Sequence, residues 1–286
     1  MMNDITVIIV SYNSANVILD CLGDFIDSMS RQVTVVDNAS RKGDVEKLEK
    51  AFPHLDILRL EHNFGYGRAA NAALKNIKSR YALLINPDIL ITKQQVSDLL
   101  LQASSYPQGA IFGPATSRKH YQNDKPAETK DAISGSCMLL DMEKLKPLGF
   151  FDEKIFLFSE EVDLCWRARA HGYQVLLLPG IYAEHLAGQS SGSSDAVEYM
   201  KNWHFGWSRS YFYRKHQLDQ GKKSLARRYW MYAWKALIAR RHYDQVKYRA
   251  IRDGIRAFKT GEAAFLADGM TPQVAPGTAR NPYSGG

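Results

Sequence analysis

The sequence predicts an α/β protein built on a mostly parallel central sheet flanked by helices, with a helical extension at the C-terminal end. Three observations carry that expectation. Short continuous apolar runs, the first of them rich in β-branched residues, recur through the first ninety positions, as strands buried on both faces require. Amphipathic stretches at helical spacing alternate with them, the order that makes a parallel sheet. From about residue 195 onward strand signals stop, and helical, basic, aromatic-rich text takes over.

Taken in order, Thr6–Val10 is the first strand, followed by a helix carrying Val17, Ile18, Cys21, Leu22 and Phe25 on one face, with Ser14 as its candidate cap. A second strand, Val33–Val36, ends in Asp37-Asn38-Ala39-Ser40. A helix over 44–51 leads to a strand over 55–60, and the glycine-punctuated loop Asn63-Phe64-Gly65-Tyr66-Gly67 opens a helix from Arg68 to Ile77. The fourth strand, Tyr81–Ile85, closes on Asn86-Pro87-Asp88. Beyond it the reading is a helix over 93–104, strands over 110–113, 132–140 and 173–178, and a helix opened by Ser159-Glu160-Glu161-Val162-Asp163. The last of these strands is stopped by Pro179-Gly180. The domain organisation expected is a catalytic domain over 1–194, a helical region over 195–267 and a flexible tail over 268–286.

Composition narrows the class. Of the 286 residues, 45% are hydrophobic and 23% charged, values that exclude disorder as the main state and supply a full-sized core. No apolar run approaches the roughly 18 residues of a membrane span. Met1-Met2-Asn3-Asp4 lacks a basic stretch and Ile5–Val10 is short for a signal peptide, so a cytoplasmic location is expected. Cys21, Cys137 and Cys165 have neither metal-ligand spacing nor an even count and read as small buried hydrophobes. Residues 1–190 hold 20 basic against 23 acidic side chains, whereas 191–286 hold 17 against 7, with four of the five tryptophans. That imbalance points to an anionic partner. Leu225, Tyr229, Tyr232 and Ala236 recur at helical spacing, and Trp230, Trp234, Leu237 and Ile238 widen the stripe. The expected partner is an anionic membrane surface on the inner face of the plasma membrane, or a second copy in a homodimer; no nucleic-acid motif accompanies the charge.

In a parallel sheet, ligands bind beyond the carboxyl ends of the strands. Ser11, Tyr12 and Asn13, Asp37 and Asn38, and Asn86 and Asp88 all follow such ends and should share one edge. Asp37 can accept from a nucleobase imide or a ribose hydroxyl, or close an Asx turn. A hard divalent cation on a diphosphate needs one or two carboxylates, which Asp88 can supply, with His185 past the last strand as a second ligand. Glu160, Glu161 and Asp163 crowd three acids at a helix start. They can serve the helix dipole, or one can act as a general base whose pKa the others raise.

The ordered set Val7–Ser14, Val35–Ser40, Asn63–Asn71, Leu84–Asp88, Ile133-Ser134-Gly135 and Phe158–Arg167 resembles family 2 glycosyltransferases of the GT-A fold. It is most like their rhamnosyltransferase-like bacterial branch, and the resemblance covers about residues 4–217. It implies a nucleoside-diphosphate sugar donor, a saccharide or lipid-linked acceptor in surface polysaccharide assembly, and Mg2+ or Mn2+ as cofactor. By the same resemblance Asp37 binds the base, Arg68 and Asn71 line the nucleotide pocket, Asp88 holds the metal, and Glu161 stands where the family more often has an aspartate base. Asn86 replaces the first acid of the common Asp-x-Asp motif, and the Gln-x-x-Arg-Trp signature of processive synthases is absent, so one sugar per encounter is expected. A sugar nucleotidyltransferase is the alternative enzyme, but Ser11-Tyr12-Asn13-Ser14 has neither the glycine nor the lysine of its phosphate loop. A non-catalytic nucleic-acid-binding protein is the alternative outside enzymes.

Overall fold

A computed structural model describes residues 4–186 and 194–274. In chain order the elements are β1 (Ile5–Ser11), α1 (Ala15–Met29), β2 (Val33–Asp37), α2 (Val45–Ala51), β3 (Asp56–Arg59), α3 (Tyr66–Leu74), β4 (Tyr81–Ile85), β5 (Ile89–Leu90), α4 (Lys93–Ser104) and β6 (Gly109–Ala115). There follow β7 (Glu128–Thr129), β8 (Cys137–Asp141), α5 (Met142–Leu145), α6 (Glu160–Ala170), β9 (Gln174–Tyr182), β10 (Glu184–His185), α7 (Asp195–Lys215), α8 (Leu225–Ile238) and α9 (His242–Lys259). The chain divides into two units, 1–152 with 161–191 and 153–160 with 192–286.

The first unit is a mixed sheet of order β3-β2-β1-β4-β8-β6-β9-β7. Strands β1 to β4 run parallel, as does the β6–β9 pair; β8 runs antiparallel to both β4 and β6. The register sets Ser11 beside Asp37 and Ile9 beside Ile85, so β1 and β2 end level and β4 ends two residues earlier at the same edge. Because β8 is reversed, its first residue, Cys137, meets Ile85 at that same edge. Both faces are covered. Ile9, Val35, Leu83 and Leu139 pack under α1 and α4, and Ile8, Val36, Leu84 and Met138 under α3 and α6. Strands this thoroughly buried need an apolar residue at nearly every position, which is the uninterrupted pattern the sequence shows.

Three elements differ from the sequence reading. Residues 132–136 do not continue β8: the Ser134 hydroxyl accepts the Ser136 N–H and meets the Ser136 hydroxyl at 2.7 Å, so this stretch turns instead of pairing. Strand β9 runs through Pro179-Gly180 to Tyr182, because a register shift between Pro114 and Ala115 takes up the extra residues and the Pro179 carbonyl accepts from Gln122. At the start of α1 the Asp44 carboxylate, 29 residues on, accepts the Ala15 N–H at 3.2 Å, a capping role the sequence assigned to Ser14.

The second unit packs α7 against α9 through Gly206 and Gly254. A Cβ on Gly254 would stand 2.0 Å from the Trp203 carbonyl oxygen, and one on Gly206 2.3 Å from that of Ile251, so the two backbones touch. Tyr199, Trp203 and Trp207 meet Val246, Ala250 and Ala257 around this crossing. Of residues 268–274, expected as the start of a flexible tail, Gln273 and Val274 are buried against this core. Phe265 bridges to Pro272, Val274 is buried, and its carbonyl accepts from His204 at 3.0 Å. The rest of the expected tail, 275–286, lies outside the described residues.

Candidate active site

The loops leaving β1, β2 and β3 are stitched to one another. Asn13, at φ 54°, donates its N–H to the Ser40 hydroxyl (2.8 Å), and its amide oxygen accepts the Arg41 N–H (2.8 Å). One Asp37 oxygen accepts the Ser40 N–H at 3.2 Å, the Asx turn that leaves Ala39 at φ 62°. The Asn38 amide donates to the side-chain oxygen of Asn63 and accepts the Phe64 N–H (3.0 Å), while the same Asn63 oxygen accepts from Gly65. Asn38 thus shapes the loop opening α3. Tyr12 projects from this edge, 47% exposed, and Arg68 is half-buried in α3.

Next along the edge lies the end of β4. The Asn86 N–H bonds to the Ser136 carbonyl at 2.9 Å, and the Tyr66 hydroxyl donates to the Gly135 carbonyl at 3.2 Å, which fixes the 134–136 turn between β4 and α3. The Glu161 side chain lies against Gly135: a Cβ there would meet its Cβ at 3.4 Å and its Cγ at 3.5 Å. Asp88 is 1% exposed, with the His185 Nε2 3.2 Å from its carboxylate. The small ribbon of β5 and β10 brings those two together, His185 opposite Ile89. Just before α6, Phe158 and Ser159 hold consecutive left-handed conformations at φ 66° and 70°. Each costs a non-glycine residue about 1–2 kcal/mol, a strain that recurs at functional sites.

Two sequence-predicted residues are tied into the fold. Asn71 is buried with its amide clasped to the backbone of Phe151, donating to its carbonyl at 2.9 Å and accepting its N–H at 3.0 Å, which secures that loop. Asp163 is fully buried and held by the Arg167 Nε at 2.8 Å. That guanidinium also donates to the carbonyls of Leu148, Gly149 and Phe150, so Asp163 anchors a counter-ion that ties α6 to this loop. Glu160, the first residue of α6, is buried and groups with the second unit. Ser40, Tyr66 and Ser136 escaped sequence reasoning. Only the serines flanking Gly135 carried a signal, a polar interruption in an apolar run.

Burial pushes the Cys137 and Cys165 thiols up to about 12, so neither supplies a thiolate. Burial and the Asp88 charge also raise Cys21. Among the described residues, no three His, Cys, Asp or Glu side chains form a metal-holding group. One buried carboxylate with one imidazole nevertheless suits a hard divalent ion whose remaining ligands are phosphate oxygens and water.

An α/β sheet with polar loops and acids gathered along the carboxyl edge of its strands is the arrangement in which such sheets bind ligands. Solved structures agree with the fold. A mannosyltransferase from Pyrobaculum calidifontis, in complex with GDP-Man and Mn2+, aligns at TM-score 0.62 and 14% identity over 90% of this chain and 87% of its own. S. aureus TarS 1-349 aligns at TM-score 0.52 and 17% identity over 99% of both. These neighbours are GT-A glycosyltransferases. Residues 6–166 match glycosyl transferase family 2, and the chain belongs to that family. Similar curated proteins are the low-salt glycan biosynthesis hexosyltransferase Agl10 of Haloferax volcanii and the N-acetylglucosaminyl-diphospho-decaprenol L-rhamnosyltransferase of Mycobacterium tuberculosis. The first is 26% identical over 61% of this chain, the second 22% over 62%. The chain spans 64% of the haloarchaeal relative's length and 77% of the mycobacterial one's.

Proposed function

We propose that the protein transfers a single sugar, with inversion, from a nucleoside-diphosphate donor to a hydroxyl of a saccharide or lipid-linked acceptor in surface polysaccharide assembly. The observation that carries this reading is the common edge: Asp37 closes β2, Asp88 follows β4, and Glu161 abuts the turn preceding β8. With strands spaced about 4.8 Å apart, those positions span roughly 15 Å, the length of a nucleotide sugar. The mycobacterial relative's name supports rhamnose as the sugar and a lipid diphosphate as the acceptor's carrier. Family membership favours sugar transfer over the nucleotidyltransferase alternative.

In this mechanism the second Asp37 oxygen and the stitched loops bind the nucleoside, with Ser11, Tyr12, Asn13, Asn38, Arg68 and Asn86 around it. Glu161 accepts the acceptor proton while the acceptor oxygen attacks the anomeric carbon opposite the departing diphosphate, a single displacement that inverts the centre. Asp88 and His185 would hold Mg2+ or Mn2+, which when bound offsets charge on the leaving diphosphate. Gly135 leaves room for the Glu161 side chain.

Calorimetric titration of nucleoside diphosphates with and without Mn2+ tests the site. Metal should strengthen binding at least about tenfold in the native protein and not in Asp88→Ala. Equal, metal-independent binding by both would contradict the assignment.

A further inference from the structure

Helix α8 is turned inside out relative to an ordinary surface helix. Leu225, Tyr229, Tyr232 and Ala236 face α9, where the first three join Ile251 and Ile255. Arg228 points the same way, bonding to the Ser210 hydroxyl at 3.0 Å beneath the Tyr213 ring. The opposite face carries Trp230 at 70% exposure, Trp234 at 61% and Leu237 at 83%, with Met231 and Ile238 beside them. The single stripe seen in the sequence is therefore two stripes, one consumed by packing and one facing outward. A solvated face would hold charges there; here its one charge is Arg227.

The charge around this face selects its partner. Helix α8 has no acidic residue, Lys222 and Lys223 precede it, and Arg240 and Arg241 follow it. The nearest acids in sequence are engaged or sit elsewhere: Asp219 pairs with Arg214 at 2.6 Å, and Asp244 lies in the first turn of α9. Two copies of this face related by a twofold axis would bring Arg227 and the flanking cations against like charges with no acid between them, which opposes a homodimer. An anionic lipid surface meets both demands. Tryptophans favour the headgroup boundary, leucine and isoleucine the acyl region just below, and cations the phosphates. At 14 residues the helix is about 21 Å long. Among the described residues no helix is long and apolar enough to cross a membrane, so α8 would lie flat in the interface.

We infer that the outward face of α8, centred on Trp230, Trp234 and Leu237, docks the protein on an anionic phospholipid surface. The inference does not depend on the sugar-transfer reading, and donor binding serves as its independent control.

Flotation of the full chain with phosphatidylcholine vesicles, with and without phosphatidylglycerol, tests it. The native protein should float with the anionic vesicles, less so at high salt, and its tryptophan emission should be quenched by lipids brominated on the acyl chain. Trp230→Ser and Trp234→Ser should each weaken partitioning at least about tenfold while leaving nucleoside-diphosphate binding unchanged. Trp234→Phe should retain most of it. Absence of flotation, flotation indifferent to these substitutions, or emission untouched by brominated lipid would overturn the proposal. So would light scattering that shows a native dimer dissociated by Trp234→Ser.

Discussion

Replacing Gly254 with alanine isolates the backbone contact between α7 and α9. The new methyl would stand 2.0 Å from the Trp203 carbonyl oxygen and 2.9 Å from the Trp207 nitrogen. A carbon approaches a carbonyl oxygen no closer than about 3.3 Å, so the helices must part by roughly 1.3 Å along a crossing where both surfaces are backbone. Overpacking of this kind costs about 1–3 kcal/mol, and with no flexible side chain to yield, about 3 kcal/mol applies. Alanine's helix propensity returns about 1 kcal/mol, leaving a net loss of about 2 kcal/mol. For a unit of about one hundred residues that lowers the melting temperature by roughly 8–16 °C. Gly23 in α1 is the control, since a Cβ there meets only the Phe52 ring at 3.9 Å. Gly23→Ala should stabilise by about 0.5–1 kcal/mol. Urea denaturation of the two variants checks the sign of each. If Gly254→Ala stabilised the protein as Gly23→Ala does, the close crossing would be refuted.

Two further perturbations read the buried polar groups. Arg167→Ala strips the fully buried Asp163 of its cation and should destabilise by about 3–5 kcal/mol; Arg167→Lys should rescue little, because an ammonium with three N–H donors cannot serve the carboxylate and three carbonyls at once, and denaturant titration checks both. Burial pushes His204 down to about 4 in the fold, against about 6.5 unfolded. Above pH 6.5 neither state binds the proton and nothing is lost. As pH falls from 6.5 towards 4 only the unfolded chain takes it up, so stability drops by about 2 kcal/mol by pH 5, a slope that His204→Phe should remove.

Strands buried on both faces announce themselves as short continuous apolar runs such as Thr6–Val10 and Tyr81–Ile85, and the polar residues at their carboxyl ends group on one edge from the pattern alone. What local pattern did not disclose depends on partners distant in sequence. Asn71 reads as a polar residue at a pocket but is claimed by Phe151, eighty positions away. Asp163 reads as one of three acids crowded at a helix start, and its pairing with Arg167 shows only in the fold. Gly206 and Gly254 carry no local signal of their use, which appears only where the two helices cross. On α8 the aromatic stripe was visible, yet which half turned inward was decided by Ile251 and Ile255 on α9.

In the proposed mechanism Glu161 removes the acceptor proton, and Glu161→Gln keeps the shape while deleting the base. Turnover with donor and acceptor should fall about 10²–10⁴-fold while nucleoside-diphosphate affinity, measured on the same preparation, stays within about twofold. Near-native turnover by that variant would contradict the mechanism.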